Sequence, residues 1–228
     1  MERRAVCRDL GRMGYAECLA LQRSLFDAMV AAKRDGSEAG DSVGTILTVE
    51  HPAVYTLGKN GRDSNLLVSE EYLRASGAEF FRIDRGGDIT FHGEGQIVVY
   101  PILDLERIGI GLREYIETLE QAVIDTVAEY GIAAGRSAGA SGVWLEGGEK
   151  RRNLRKICAI GVRASRYITM HGLALNVTTD LKRFEYINPC GFTDRGVTSM
   201  ERELGFAPAI GEVREKTVAN LLKLLSLG

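Results

Sequence analysis

From Glu79 to Leu105 the chain reads EFFRIDRGGDITFHGEGQIVVYPILDL, three runs of β-branched and aromatic residues cut by the turns RGGD and HGEGQ. Glycine supplies the backbone angles that such turns need, so the runs must fold back on one another and the segment reads as the heart of a sheet. Upstream, TILTV (45–49) and AVYTL (53–57) read as strands flanking Pro52, and downstream SGVWLEG, KICAIGVRAS and YITMHGLALNV read as three more. Helices frame these strands. Cys18, Leu21, Leu25, Met29 and Ala32 recur at three- and four-residue steps up to a stop near Gly36, and Leu112, Ile116, Leu119, Val123, Val127 and Tyr130 do so up to Gly131. SEEYLRASG (69–77) reads as a short helix with acidic residues in its first turn, and a last helix turns Val213, Thr217, Leu221, Leu224 and Leu225 inward. The small-residue stretch AAGRSAGASG (133–142) reads as a mobile loop. Consecutive strands mixed with helices imply an α+β domain of mixed α/β content, whose mixed, largely antiparallel sheet is flanked by helices. With 228 residues, 45% hydrophobic and only 4 prolines, the chain suits one domain over 1–228.

A formal net charge of -2 excludes nucleic-acid binding through bulk electrostatics. No apolar run approaches the roughly 20 residues of a membrane span, and MERRAVCRDL lacks the apolar stretch of a signal peptide, so a soluble, cytoplasmic protein with no membrane partner is expected. Cys7, Cys18, Cys158 and Cys190 show no CxxC spacing, and a reducing cytoplasm disfavours disulfides. With three histidines and no HExxH, no metal site is expected.

Four places carry chemistry-bearing residues, each with a plainer alternative. RGGDITFHGEGQ, from Arg85 to Gln96, is either a hairpin whose glycines merely permit turning or a surface that lets an extended ligand approach exposed N–H groups. It is neither a Walker loop nor a GxGxxG fingerprint. Lys156 opens the apolar strand ICAIGV, where a lysine marks the strand edge or points into a cleft; regular alternation would place it on one face with Cys158 and Ile160. His171 is a hydrogen-bonded core residue or a pocket wall, with Gly172 leaving room for an apolar ligand and Leu173 and Ala174 lining it; His51 is similarly ambiguous. Cys190, in INPCG, is a buried filler, a disulfide half or a nucleophile. Pro189 and Gly191 favour display of a thiol that an ester can reach, and a nearby cation such as Lys156 would favour its thiolate.

HPAVYTLGK, RGGDITFHGEGQ followed by IVVYPILDL, GVW, KICAIGVR, HGLALNV, and INPCG with VTSM occur in the order seen in the lipoyl(octanoyl) transferases, which the chain resembles over about residues 45–205. The resemblance implies a single domain of the biotin/lipoate protein ligase type. It implies an enzyme that moves an octanoyl (or lipoyl) group from acyl carrier protein onto a lysine of lipoyl domains, those of 2-oxoacid dehydrogenases and the glycine cleavage H protein, as the first step of endogenous lipoate synthesis. No cofactor is implied. Carried over residue by residue, the family's catalytic pair falls on Cys190, as acyl-thioester nucleophile, and on Lys156, which lowers the thiol's pKa and relays a proton. The acyl-binding segments fall on Arg85, Gly86, Gly87, Asp88, Ile89, Thr90, Phe91 and His92, on Ala159, Ile160 and Gly161, and on Gly172, Leu173 and Ala174. Two departures stand out: Glu94 replaces a frequent proline and puts a charge near the expected pocket mouth, and Asp88 replaces a frequent glutamine.

The implied chemistry is physically coherent. A thiolate exchanges one thioester for another and keeps the acyl group reactive, whereas a serine ester would not. The acceptor lysine, with a pKa near 10.4, is neutral only about once in a few thousand at pH 7, so a proton relay is required. The basic run Lys150 to Arg155 is a solvated turn or a patch that steers acidic carrier and lipoyl domains. Rival readings are an ATP-dependent lipoate or biotin ligase of the same fold, an amidotransferase between lipoyl-type domains, and a non-catalytic module that binds acylated carriers.

Overall fold

The computed structural model describes residues 3–36, 42–146, 154–188 and 195–228. In chain order these form β1 (Arg4–Arg12), α1 (Tyr15–Arg34), β2 (Ser42–Glu50), β3 (Val54–Leu57), α2 (Glu70–Ala75), β4 (Glu79–Arg82), β5 (Ile89–His92), β6 (Gln96–Leu103), α3 (Leu105–Ile108), α4 (Leu112–Ala128), β7 (Gly135–Ser137), β8 (Ala140–Leu145), β9 (Arg155–Ser165), β10 (Ile168–Asn176), β11 (Gly196–Val197), α5 (Met200–Leu204) and α6 (Ile210–Leu224). A large sheet runs β1-β2-β6-β10-β9-β8-β7, with β11 on β9; a small one runs β4-β3-β5. The β1/β2, β11/β9 and β3/β4 pairs are parallel and the others antiparallel, giving the expected mixed sheet flanked by helices.

The three runs of 79–105 do not share one sheet. β6 lies inside the large sheet, whereas β4 and β5 pair with β3. β6 is buried along its whole length because both of its faces are covered. Ile97, Val99 and Leu103 meet α4 and α6, and Val98, Tyr100 and Ile102 meet α1. On α4, burying Leu119, Val123 and Val127 completely stabilises by about 1.5–3 kcal/mol each. Pro101, unusual inside a sheet, sits where the β6–β10 ladder has ended at Val99/Leu173. Beyond that point the Thr169 hydroxyl takes over, donating to Pro101 O at 2.8 Å and accepting from Leu103 N–H at 3.1 Å.

Other expectations need revision. The 133–142 stretch is a hairpin: β7 pairs with β8 around Ala138-Gly139, and Gly139 has φ +75. Glu120, buried on α4, fixes it by accepting from Gly142 N–H and Arg136 Nε, both at 3.0 Å. On α1 the buried face is Tyr15, Cys18, Leu19, Gln22 and Phe26, with Leu21, Leu25 and Met29 at its margin. Leu225 is buried as expected, but Leu224 is exposed and Leu227 is buried instead. β1 was signalled by no pattern, since its residues alternate only weakly between exposed and half-buried.

Candidate active site

β9 and β10 pair from Ser165/Ile168 to Cys158/Leu175, and the RGGD turn and β5 lie over them. Between these layers lie two small adjoining pockets, one toward each end of the β9–β10 pair. One end is lined by Lys156, Asp88, Gln96, Asn176 and Val197, and the other by Tyr15, His92, Val98, Tyr100 and His171. Arg85, Thr90, Ala159, Ile160 and Ala174 line both ends. Together their linings follow β10 from Asn176 to Gly172, roughly 13 Å at about 3.3 Å per residue.

Arg85 builds the turn around its own guanidinium. Nη1 donates to Gly86 O at 2.7 Å and Nη2 to Asp88 O at 2.8 Å, while Gly86 N–H donates to Val162 O at 3.1 Å and lays the turn on β9. Gly161 makes this approach possible, because a Cβ there would sit 2.5 Å from Arg85 Nη1. The Asp88 carboxylate accepts from Ile89 N–H at 2.7 Å and from Asn65 Nδ2 at 2.6 Å. Gly86 and Gly87 border a shallower groove beside the cavity. Thr90 and His92 line the cavity from one face of β5, while Phe91 on the other face packs against Tyr55 and Phe184 together with Ile89, which also borders the Lys156 end.

A buried polar chain links the two ends. His92 Nδ1–H donates to Gln96 Oε1 at 2.8 Å, Gln96 Nε2 to Asn176 Oδ1 at 2.8 Å, and Asn176 Nδ2 to Thr198 O at 3.0 Å. Thr198 N–H in turn donates to Lys156 O at 2.9 Å. Burial pulls His92 down to about 3, helped by His51, and pulls His171 down to about 3, helped by Arg85. Burial also lowers His51, whose Nδ1–H donates to Met13 O at 2.8 Å while Nε2 accepts from Tyr100 OH at 3.0 Å. The chain's three histidines are therefore neutral at neutral pH. Burial likewise pushes Tyr15 and Tyr100 up, so the phenols also stay uncharged.

Lys156 is buried at the other end, with its ammonium 4.5 Å from the centre of the Trp144 ring. Cys158 does not accompany it. The β8–β9 ladder slips between Val143/Cys158 and Trp144/Lys156, and Cys158 packs in the main core, where burial pushes its thiol up to about 12. Gly172 lines the cavity, but its lack of a side chain answers the sheet: a Cβ would lie 2.2 Å from Val99 O and 2.7 Å from Pro101 Cδ. Beside it His171 has φ 60, and its N–H is received by Gln22 Oε1 at 3.1 Å. Leu173 and Ala174 also line the cavity. Glu94 lies outside that lining and pairs with Arg12. Arg155 is held by Glu203 at 2.9 Å, while Lys150 to Asn153 lie outside the described residues.

Cys190 also lies outside the described residues. On its N-terminal side Ile187 bridges to Leu66, and Asn188 N–H donates to Asn65 O at 2.8 Å. On its C-terminal side Gly196 and Val197 pair with Arg155 and Lys156. The chain thus leaves and re-enters the described structure beside the mouth of the cavity. Tyr15, Tyr100, Asn176 and Trp144 were absent from the sequence-derived site. Tyr100 and Val98 share a β6 face by period-two alternation, but nothing local connects Tyr15, on a helix far upstream, with the cavity.

Residues 14–222 match the lipoyl protein ligase A/B catalytic domain. This chain belongs to that family. It is 52% identical to an octanoyltransferase of Bacteroides fragilis over 97% of its own length and 98% of the relative's. Such likeness to curated octanoyltransferases makes it an acyltransferase. Among solved structures, the bipartite lipoate protein ligase of Thermoplasma acidophilum aligns with a TM-score of 0.68 at 17% identity, over 99% of this chain and 85% of that one. The biotin protein ligase of Aquifex aeolicus, in complex with biotin and ATP, aligns with a TM-score of 0.55 at 15% identity, over 96% and 70%. At these identities the two structures establish the fold alone. Among the described residues no helix is long and apolar enough to cross a membrane.

Proposed function

We propose that the enzyme takes an octanoyl (or lipoyl) group from acyl carrier protein onto Cys190 as a thioester and passes it to a lysine of lipoyl domains, in the cytoplasm. The observation that carries this reading is the anchoring of the chain on both sides of Cys190 around the pocket that Lys156 lines: Asn188 is held by Asn65, whose side chain binds the pocket residue Asp88, and Val197 pairs with Lys156 itself. In the first step the Cys190 thiolate attacks the donor thioester carbonyl, a new C–S bond forms as the carrier's C–S bond breaks, and the departing thiolate takes a proton from the Lys156 ammonium. In the second the acceptor amine attacks the Cys190 thioester, the C–N bond forms as the C–S bond breaks, and the thiolate is restored. The Lys156 cation stabilises the resting thiolate; once it has given its proton to the departing carrier, the neutral amine takes the proton that the acceptor nitrogen sheds, and the cation is restored. Arg85 to Asp88 shape the cavity mouth, while Ile89, Thr90, His92, Ala159 to Gly161 and Gly172 to Ala174 wall the acyl chain. The donor is octanoyl-acyl carrier protein, and the acceptors are the lipoyl domains of 2-oxoacid dehydrogenases and the glycine cleavage H protein.

The test is intact-mass spectrometry after incubation with octanoyl-carrier protein in the absence of ATP. The expected result is a gain of one octanoyl group, lost on hydroxylamine treatment and absent in Cys190→Ser. Product formed without any such adduct on the wild-type enzyme would exclude the covalent route, and an absolute requirement for ATP would restore the ligase reading.

A further inference from the structure

Trp144 is the chain's single tryptophan, and it is buried at the cross-strand position opposite Lys156. Its indole Nε1–H donates to Ala140 O at 3.3 Å, which fixes the ring within the β7–β8 hairpin. Two cations lie against that ring, Lys156 Nζ at 4.5 Å and the Arg195 guanidinium carbon at 5.1 Å from its centre. Both fall inside the roughly 6 Å over which an aromatic quadrupole attracts a cation, and tryptophan is the strongest such surface. The lysine stem is confined as well, since a Cβ on Gly142 would lie 3.4 Å from Lys156 Cε. Arg195 follows Cys190 by five residues and directly precedes the β11 residues Gly196 and Val197, which pair with Arg155 and Lys156. One ring therefore touches both the lysine and the chain just after the cysteine segment.

We propose that Trp144 is the positioning residue of the acyl-transfer site: its indole holds the Lys156 ammonium and the Arg195 guanidinium together, setting the lysine against the chain that carries Cys190. This rests on the reading of Lys156 and Cys190 given above. A flexible lysine has several rotamers to lose, and holding it in one arrangement raises the rate of the step in which it acts without altering how the acyl donor binds. Trp144 does not touch the acyl cavity, being absent from its lining. Its removal should therefore appear in kcat and leave KM alone.

The experiment compares Trp144→Leu and Trp144→Phe, each in the wild-type and Lys156→Ala backgrounds, by steady-state transfer from octanoyl-pantetheine to a lipoyl domain, with thermal melting recorded for every variant. Trp144→Leu is expected to lower kcat about tenfold with KM changed less than about twofold. Trp144→Phe, which keeps an aromatic face, is expected to recover most of that loss while melting no higher than the leucine variant. In the Lys156→Ala background Trp144→Leu should cost less than about twofold, because the partner it positions is gone. Equal losses in both backgrounds, or phenylalanine falling as far as leucine, would overturn the proposal and leave Trp144 a packing residue. A Lys156→Ala enzyme with wild-type kcat would overturn it too, but through the underlying assignment of Lys156, a result distinct from any behaviour of the Trp144 variants.

Discussion

At one end of the cavity stand Lys156, Asp88 and Asn176; at the other stand His92, His171, Tyr15 and Tyr100. The same two strands, β9 and β10, wall both ends, and Arg85 touches both. The outcome differs because the means of holding polarity differ. At the first end a cation rests on Trp144 and a carboxylate accepts from Ile89 and Asn65. At the second, burial together with the positive charge of Arg85 keeps the imidazoles neutral. Charge is thus kept at the first end, and at the second every titratable side chain other than the hydrogen-bonded Arg85 is held neutral, since an unpaired buried charge costs several kcal/mol.

The contrast can be broken at several points. Lys156→Ala should lower transfer about 10²–10³-fold with little change in donor KM; a raised KM with unchanged kcat would move Lys156 from chemistry to binding. Gly172→Ala should cost about 3 kcal/mol in denaturant unfolding, because its Cβ meets backbone and proline at 2.2 Å and 2.7 Å rather than open cavity. A near-neutral result would return Gly172 to its role as mere space for a ligand. Ala159→Leu, at a residue that lines both ends, should raise donor KM about tenfold while leaving the melting temperature nearly unchanged; unaltered KM would show that the acyl chain does not cross from one end to the other.

The neutral end makes a prediction about pH. His92 and His171 titrate near 6.5 when unfolded and at about 3 when folded. Between those values the unfolded chain binds more protons, so their stabilisation is complete above about 6.5 and declines as pH falls toward about 3, by up to about 1.4 kcal/mol per pH unit for each. Melting curves from pH 7 to pH 4 should therefore fall less steeply for His92→Asn than for the wild type; parallel curves would mean that His92 is not held neutral. Smallest of all, Cys158→Ala should cost about 1 kcal/mol of stability and acylate normally, since its thiol is buried in the core, where burial outweighs the lowering effect of the Lys156 cation.

Local features were legible in advance. Period-two and helical patterns locate β2, β3, β5, β6, β8, β9, β10, α1, α4 and α6, because alternation and 3.6-residue periodicity depend only on neighbours along the chain. The candidates Lys156 and Cys190, the RGGD turn and the HGLALNV strand likewise stand out by residue type and family order. Nonlocal contacts decided the rest. Whether β5 pairs with β3 or with β6 depends on which edges meet, and a one-residue slip opposite Trp144 separates Lys156 from Cys158 although their spacing promised a shared face. Gly172 is glycine because β6 passes behind it, and Gln22 is buried because His171 needs an acceptor. The stretch 133–142 is ordered because Glu120, on α4, reaches Gly142. The physical reason is common to all of these: turn geometry and periodicity are set within a few residues, whereas burial, close backbone approach and the charge state of a histidine are set by atoms that only the folded chain brings together.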